Sequence, residues 1–160
     1  MPSVLFICTA NQFRSPIAES CLKKKLMDAG YLEDWQVSSA GTWASKGLPA
    51  HPMAVKVAAS SGLDLSAHRS KPITSRLLER SDLVIVMESD HKESLQIEFP
   101  KNQNKVILMT ELVGENQSDV PDPVVDGSYN PVEVTEMICR IIDEGFNNLL
   151  MFVKNNGHKQ

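Results

Sequence analysis

A cysteine and an arginine, Cys8 and Arg14, stand six positions apart near the start of the chain, between a short apolar run and a predicted helix. A strand-to-helix loop of this length aims successive backbone N–H groups and the positive end of the helix dipole at one concavity, which stabilises an oxyanion. A thiol in such a place ionises readily and can act as a nucleophile. The guanidinium of Arg14 offers a planar fork for two phosphoryl oxygens, which a lysine cannot imitate. The spacing therefore predicts a phosphate-binding loop with a nucleophile at its base.

Strand-like and helical patterns alternate along the chain, and they must position this loop. An apolar run over residues 3–7 predicts a buried strand, and Ser15 and Pro16 suit the N-cap and the first position of the following helix. Further strands are predicted over residues 36–39, 83–87 and 105–109, and helices over residues 16–29, 52–61, 75–80, 89–98 and 131–154. The alternation predicts an α/β fold, a three-layer doubly wound sandwich around a four-stranded parallel sheet. Ligands of such sheets bind beyond the carboxyl ends of the strands, where Cys8 is expected.

The length and composition of the chain exclude several classes of protein. A chain of 160 residues is expected to form a single domain over residues 1–160. The net charge of −4 and the pI near 5.5 disfavour a nucleic-acid binder, whose surface would be basic. The apolar runs are too short to span a bilayer, and the N-terminus lacks the pattern of a signal peptide. We therefore expect a cytoplasmic protein, a monomer or weak oligomer, with no nucleic-acid or membrane partner.

The three cysteines, Cys8, Cys21 and Cys139, make an odd count without CxxC spacing. This pattern favours neither a disulfide framework nor a structural zinc site. We expect reduced thiols, as is typical of the cytosol, with Cys21 and Cys139 in the core.

The longest segment without a predicted element, residues 110–131, contains three aspartates. Pro121 and Pro123 flank Asp122 and restrict its backbone, which suits an acid that must meet a leaving oxygen. Asp119 and Asp126 are expected to face water.

Beyond the loop, the chain resembles the low-molecular-weight protein tyrosine phosphatases over nearly its whole length. Their signature is a cysteine, five residues, an arginine and a serine near the N-terminus. Four later blocks follow in the order that the family shows, namely residues 39–43 (SAGTW), 62–68 (GLDLSAH), 82–88 (DLVIVME) and 120–123 (VPDP).

The resemblance implies a role for each matching residue. Cys8 is the implied nucleophile, Arg14 the phosphate clamp and Asp122 the general acid. The implied phosphate loop and its supporting hydrogen-bonding set comprise Thr9, Ala10, Asn11, Gln12, Phe13, Ser15, Ser39 and His68, with His68 orienting Asn11. The implied substrate cleft comprises Gln12, Trp43, Val124 and Val125. The resemblance implies phosphotyrosine-containing protein substrates, inorganic phosphate as product, and no metal or other cofactor.

Two departures from the family pattern affect the loop. Ala10 replaces the usual glycine, so either its φ is ordinary or the loop is strained. Phe13 replaces the second cysteine that relatives can use to protect the nucleophile, so Cys8 is expected to lack a neighbouring thiol. His51 and His91 are not assigned to chemistry, and His91 is expected on the surface of a helix.

Three alternative functions remain open. An arsenate reductase shares the loop but needs further cysteines, and none lies between Cys21 and Cys139. A protein arginine phosphatase would use the same nucleophile. A non-catalytic phosphate-binding module would need neither the nucleophile nor the acid.

Overall fold

The helices and strands of the computed structural model follow the predicted alternation over the residues described, 1–115, 118–125 and 127–157. The strands are β1 Ser3–Cys8, β2 Gln36–Gly41, β3 Leu83–Val86 and β4 Val106–Leu108. The helices are α1 Arg14–Asp28, α2 Pro52–Ser60, α3 Ser75–Arg80, α4 Ser89–Glu98, α5 Pro131–Glu144 and α6 Phe146–Gly157. Three short 3-10 helices are Leu32–Asp34, Pro100–Lys105 and Met109–Val113. Asp126, which is expected to face water, lies outside the described residues.

The four strands form one parallel sheet in the order β2-β1-β3-β4. β1 is central, with Cys8 paired to Gly41 at the end of β2 and Ile7 paired to Val86 at the end of β3. The residues that follow β1, β2 and β3 therefore meet at one edge of the sheet. The predicted doubly wound α/β fold is confirmed.

Helices cover both faces of the sheet because the side chains of a strand alternate between faces. Val4, Phe6 and Cys8 point to a core that includes side chains of α1, α2, α5 and α6. Leu5 and Ile7 point to a second core with α3 and α4. Cys8 thus ends β1 on the face that α1 covers.

The first helix begins two residues earlier than the sequence predicts. Phe13 is its N-cap residue and makes no side-chain cap hydrogen bond, and Arg14 is the first helical residue. Ser15 does not cap the helix, because its hydroxyl is hydrogen-bonded to the Cys8 thiol instead. Both Arg14 and Ser15 are therefore fixed by the first turn of a regular helix.

The prediction of one helix over residues 131–154 is wrong, because α5 ends and α6 begins on either side of Gly145. The backbone of Gly145 lies so close to Leu112 that a Cβ atom there would come within 2.7 Å of the Leu112 Cβ. Gly145 and Leu112 are far apart in the sequence, so no local sequence pattern predicts this contact or the helix break it causes.

The expectation of reduced Cys21 and Cys139 thiols is also wrong, because the two cysteines form a disulfide between α1 and α5. Their Cα atoms lie 5.7 Å apart although the residues are separated by 118 positions. That distance is ordinary for a disulfide, but only the packing of the two helices creates it. Cys8 remains a free, buried thiol.

No helix within the described ranges is long and apolar enough to cross a membrane.

Candidate active site

A cavity of about 230 Å³ opens at the carboxyl end of β1. It brings together the three residues that the resemblance assigns to chemistry, Cys8, Arg14 and Asp122. The rest of its lining consists of Thr9, Ala10, Gln12, Phe13, His51, Val124 and Val125. Its base is polar and reactive, whereas its walls are mostly apolar.

A chain of hydrogen bonds leads away from the thiol at the base of this cavity. The side-chain amide of Asn11 donates to Ser15 Oγ at 2.8 Å and to Ser39 Oγ at 2.9 Å. Since Ser15 Oγ accepts from Asn11, its own hydrogen is free to point to Cys8 Sγ, 3.0 Å away. Ser39 in turn donates to the Glu19 carboxylate at 2.8 Å. The network thus offers a hydroxyl donor to a thiolate at Cys8.

Asn11 holds the bend of the loop. It is fully buried and is the one non-glycine residue with positive φ (57°) in the described part of the chain, a conformation that asparagine tolerates better than most residues. Its carbonyl accepts from His68 Nε2 at 2.7 Å, and its Oδ1 accepts from the Lys71 amide at 3.0 Å. Ala10 does not have positive φ, so its replacement of glycine requires no left-handed backbone.

The end of β2 packs directly on the loop. A Cβ atom at Gly41 would come within 2.4 Å of the Thr9 carbonyl oxygen and 3.0 Å of the Asn11 nitrogen. The next two amides, of Thr42 and Trp43, donate to the carbonyls of Cys8 and Thr9 at 3.0 and 2.9 Å. Only glycine fits where the two segments meet.

The side chain of Arg14 is only 2% exposed, and four groups hold its guanidinium at the cavity. Nη1 donates to Glu88 Oε1 at 2.5 Å and to the Val120 carbonyl at 2.8 Å. Nη2 lies 3.4 Å from both Thr9 Oγ1 and Asp122 Oδ2. A buried guanidinium needs such partners, and they fix its fork towards the cavity.

Asp122 faces Arg14 from a loop that is tied to the sheet. Its Oδ1 accepts from the Val124 amide at 2.9 Å. The Val120 amide donates to the Met87 carbonyl at 2.8 Å, and Val120 is fully buried. Asp119 is exposed, as expected, and its carboxylate also accepts a hydrogen bond from the Ser89 amide at 2.8 Å.

The residues of the implied substrate cleft fall into two places. Val124 and Val125 are exposed walls of the cavity, and Gln12 lines it with its side-chain amide donated to the Pro49 carbonyl at 3.1 Å. Trp43 is 87% exposed and lines a separate groove beside Ile73 and Phe99.

His51 was not predicted to contact the site, but it lines the cavity next to Phe13, with the two ring centroids 6.4 Å apart. Its Nδ1 accepts from the Met53 amide at 3.1 Å at the start of α2.

His91 is buried, which contradicts the expectation of a surface residue. Its Nε2 lies 3.0 Å from Thr9 Oγ1. Burial lowers the pKa of His91 below the ordinary value of 6.5. The carboxylates of Glu88, Asp119 and Asp90 oppose this shift and Arg14 adds to it.

The lowered pKa of His91 predicts a pH-dependent loss of stability. The unfolded chain binds a proton at this residue more readily than the folded chain, so the stability due to neutral His91 is present above pH 6.5 and is lost as the pH falls through the lowered pKa. The free energy of unfolding of the wild type should therefore fall relative to that of His91→Gln as the pH is lowered below 6.5. Urea denaturation of both proteins at a series of pH values measures the difference. A difference that is constant with pH would contradict the prediction.

Sequence reasoning missed Glu88, His91 and Glu19 as members of the site. Glu88 stands two residues after β3, whose carboxyl end lies beside that of β1 in a parallel sheet. This position next to the end of β1 could have predicted that Glu88 belongs to the site. Nothing local marks the contact of His91 with a loop 82 positions away.

Comparison with known proteins agrees with this geometry. A sequence model of the family described as "Low molecular weight phosphotyrosine protein phosphatase" matches residues 3–159. A probable low-molecular-weight protein-tyrosine-phosphatase of Ralstonia nicotianae is 35% identical over 141 residues, covering 88% of this chain and 91% of the relative. A protein-arginine-phosphatase of Bacillus subtilis is 36% identical over 120 residues, covering 75% and 78% of the two chains.

The fold comparison points the same way. A low-molecular-weight protein tyrosine phosphatase from T. tengcongensis superposes with a TM-score of 0.84 at 35% identity, over 92% of this chain and 99% of that one. The chain belongs to the low-molecular-weight protein tyrosine phosphatase family and is a cysteine-dependent phosphatase.

Proposed function

We propose that this enzyme hydrolyses phosphotyrosine in proteins, and small aryl phosphates, through a phosphocysteine intermediate. One observation carries the proposal: the free thiol of Cys8 lies at the base of a cavity that Arg14 and Asp122 also line. The Ser15 hydroxyl lies 3.0 Å from the sulfur, where it can stabilise the thiolate. A docking module would bind phosphate without requiring either the thiol or the carboxyl group.

The first step is displacement at phosphorus. The Cys8 thiolate forms the S–P bond while the bond from phosphorus to the aryl oxygen breaks, and Asp122 protonates the departing oxygen. Arg14 and the loop amides bind the equatorial phosphoryl oxygens, where negative charge is concentrated. A phosphoryl dianion at Arg14 competes with the Asp122 carboxyl, whose Oδ2 now lies 3.4 Å from Nη2, and frees it for the leaving oxygen.

The second step releases phosphate. Asp122, left as a carboxylate, accepts a proton from water as the water oxygen attacks phosphorus and the S–P bond breaks. The electron pair returns to Cys8 as the thiolate, and inorganic phosphate leaves. The same carboxyl group therefore acts first as an acid and then as a base.

The walls of the cavity support an aromatic substrate. Phe13, Val124 and Val125 present apolar surface above the reactive base, which suits a phenyl ring. Phosphoarginine remains the second candidate because the Bacillus subtilis relative at 36% identity is named a protein-arginine-phosphatase.

A direct comparison of substrates tests the proposal. We expect kcat/KM to be higher for phosphotyrosine peptides and p-nitrophenyl phosphate than for a phosphoarginine peptide of matched sequence. A clear preference for phosphoarginine would contradict the assignment of the substrate, whereas no turnover of any of the three would contradict the assignment as a phosphatase.

We also propose that residues 1–160 form one phosphatase domain acting in the cytoplasm on phosphotyrosine-containing proteins. The family match over residues 3–159 supports the single domain. The free Cys8 nucleophile must stay reduced to act, which supports a reducing compartment, although the Cys21–Cys139 disulfide is unusual for one. Cell fractionation with the phosphatase activity followed in each fraction checks the location.

Oxidation should inactivate the enzyme irreversibly. Cys21 and Cys139 are bonded to each other, and Phe13 occupies the position before Arg14 where relatives can carry a second cysteine. No free thiol is therefore placed to capture an oxidised Cys8. Peroxide takes the thiolate to the sulfenic acid with release of water, and a second equivalent gives the sulfinic acid, which thiol reductants do not reverse. Intact-mass and peptide mass spectrometry, followed by activity after dithiothreitol, should show sulfinic Cys8 and no recovery. Full recovery with a disulfide between Cys8 and Cys21 or Cys139 would contradict this prediction.

A further inference from the structure

We propose that His91 is a positioning residue for Arg14, acting through the hydroxyl of Thr9. The inference rests on the proposed function, because it takes Arg14 as the group that binds the phosphoryl oxygens. It adds to the site a side chain from α4, on the opposite face of the sheet from α1.

The contact itself is direct. His91 Nε2 lies 3.0 Å from Thr9 Oγ1, and His91 is only 7% exposed. Thr9 directly follows Cys8 in the loop, and its Oγ1 lies 3.4 Å from Arg14 Nη2. One oxygen atom therefore joins the imidazole to the guanidinium.

The other ring nitrogen indicates which atom donates. His91 Nδ1 is buried and has no hydrogen-bond partner among the residues that the structure describes. Buried N–H groups without an acceptor are rarer than acceptors without a donor, so the proton of the neutral ring belongs on Nε2. His91 then donates to Thr9 Oγ1.

This assignment orients Thr9. Its Oγ1 accepts one hydrogen from His91 Nε2 and a second from Arg14 Nη2, which uses both lone pairs of the hydroxyl. Glu88 and the Val120 carbonyl hold Nη1, so the partners of Nη2 are the Thr9 hydroxyl and the Asp122 carboxyl group. When substrate displaces Asp122 from Nη2, the hydrogen bond from Nη2 to the Thr9 hydroxyl keeps the Arg14 guanidinium oriented towards the phosphoryl oxygens.

A double-mutant cycle tests the proposal. His91→Leu and Thr9→Val each remove the hydrogen bond at similar side-chain volume, and we expect each to lower kcat/KM for p-nitrophenyl phosphate by about 5- to 20-fold, the scale of one hydrogen bond. The double variant should be no worse than Thr9→Val alone, because His91 acts only through the Thr9 hydroxyl and its loss adds nothing once that hydroxyl is gone. His91→Gln, whose amide reaches the place of Nε2, should restore kcat/KM to within about twofold of the wild type.

A control on the same helix separates positioning from stability. Leu95→Ala removes packing from α4 at a buried residue that belongs to the core on that face of the sheet. We expect it to lower the melting temperature while kcat/KM is unchanged at a temperature where the protein remains folded. If His91→Leu does not fold, the cycle is run with His91→Asn, whose shorter side chain does not reach Thr9.

A spectroscopic readout reports on the contact directly. We expect titration of inorganic phosphate to shift the ¹⁵N resonance of His91 Nε2 in the wild type and not in Thr9→Val.

Additive effects in the cycle, an unshifted Nε2 resonance in the wild type, or an equal loss of kcat/KM in Leu95→Ala would each overturn the positioning role. These results are distinct from failure of the proposed function, in which the wild type itself would not hydrolyse the substrates.

Discussion

Cys8→Ser is expected to abolish turnover while the protein folds and binds phosphate. A hydroxyl is not ionised at neutral pH, so the S–P bond cannot be replaced by an equivalent O–P bond at a useful rate, and kcat should fall by about 10³-fold or more. The anion site should persist because Arg14 is held by Glu88 and the Val120 carbonyl, neither of which touches the sulfur. Steady-state kinetics with p-nitrophenyl phosphate and calorimetric titration of phosphate give the two measurements.

Cys21→Ser is the matched control for this change. It removes the other cysteine of α1, which is bonded to Cys139 away from the cavity. Turnover by this variant should remain close to that of the wild type, with lower stability as the cost of the lost disulfide. Turnover by Cys8→Ser within tenfold of the wild type would remove Cys8 from the role of nucleophile.

Asp122→Asn is expected to show a loss of activity that depends on the leaving group. An aryl oxygen of high pKa departs poorly without a proton, whereas one of low pKa leaves as the anion. General acid catalysis contributes about 10²- to 10⁴-fold, so kcat for phosphotyrosine should fall on that scale, and kcat for strongly activated aryl phosphates should fall much less. Comparison of kcat across a series of aryl phosphates measures the dependence.

Two carboxylates serve as comparisons for Asp122→Asn. Glu93→Gln neutralises an exposed side chain on α4 and should leave both classes of substrate unaffected. Asp119→Asn is not inert, because it weakens the bond to the Ser89 amide that holds the loop, and it should lower turnover of both classes alike. An equal fall for both classes in Asp122→Asn would instead mean that Asp122 positions the loop and does not donate the proton.

The parts of the site that can be predicted from sequence are those built from neighbouring residues. Cys8 and Arg14 are six positions apart, and the strand before them and the helix after them follow from local patterns. α1 starts two residues before its predicted position because the hydroxyl of Ser15, a good capping residue, is hydrogen-bonded to the Cys8 thiol. Tertiary hydrogen bonding overrode a local preference there.

The parts that could not be predicted depend on contacts between distant segments. Glu88 reaches Arg14 across 74 positions and His91 reaches Thr9 across 82, both because β3 lies beside β1. The break between α5 and α6 follows from the contact of Gly145 with Leu112. The disulfide between α1 and α5 likewise requires the packed pair of helices.

The tethering of the acid-bearing loop has a consequence for the entropy of catalysis. The Asp119 carboxylate accepts a hydrogen bond from the Ser89 amide at the start of α4. The backbone of buried Val120 is hydrogen-bonded to the Met87 carbonyl and to the Arg14 guanidinium. The conformational freedom of residues 119 and 120 is therefore lost when the chain folds and not when substrate arrives. Substrate binding energy does not have to order a lid, and more of it remains for aligning the phosphoryl group with the sulfur.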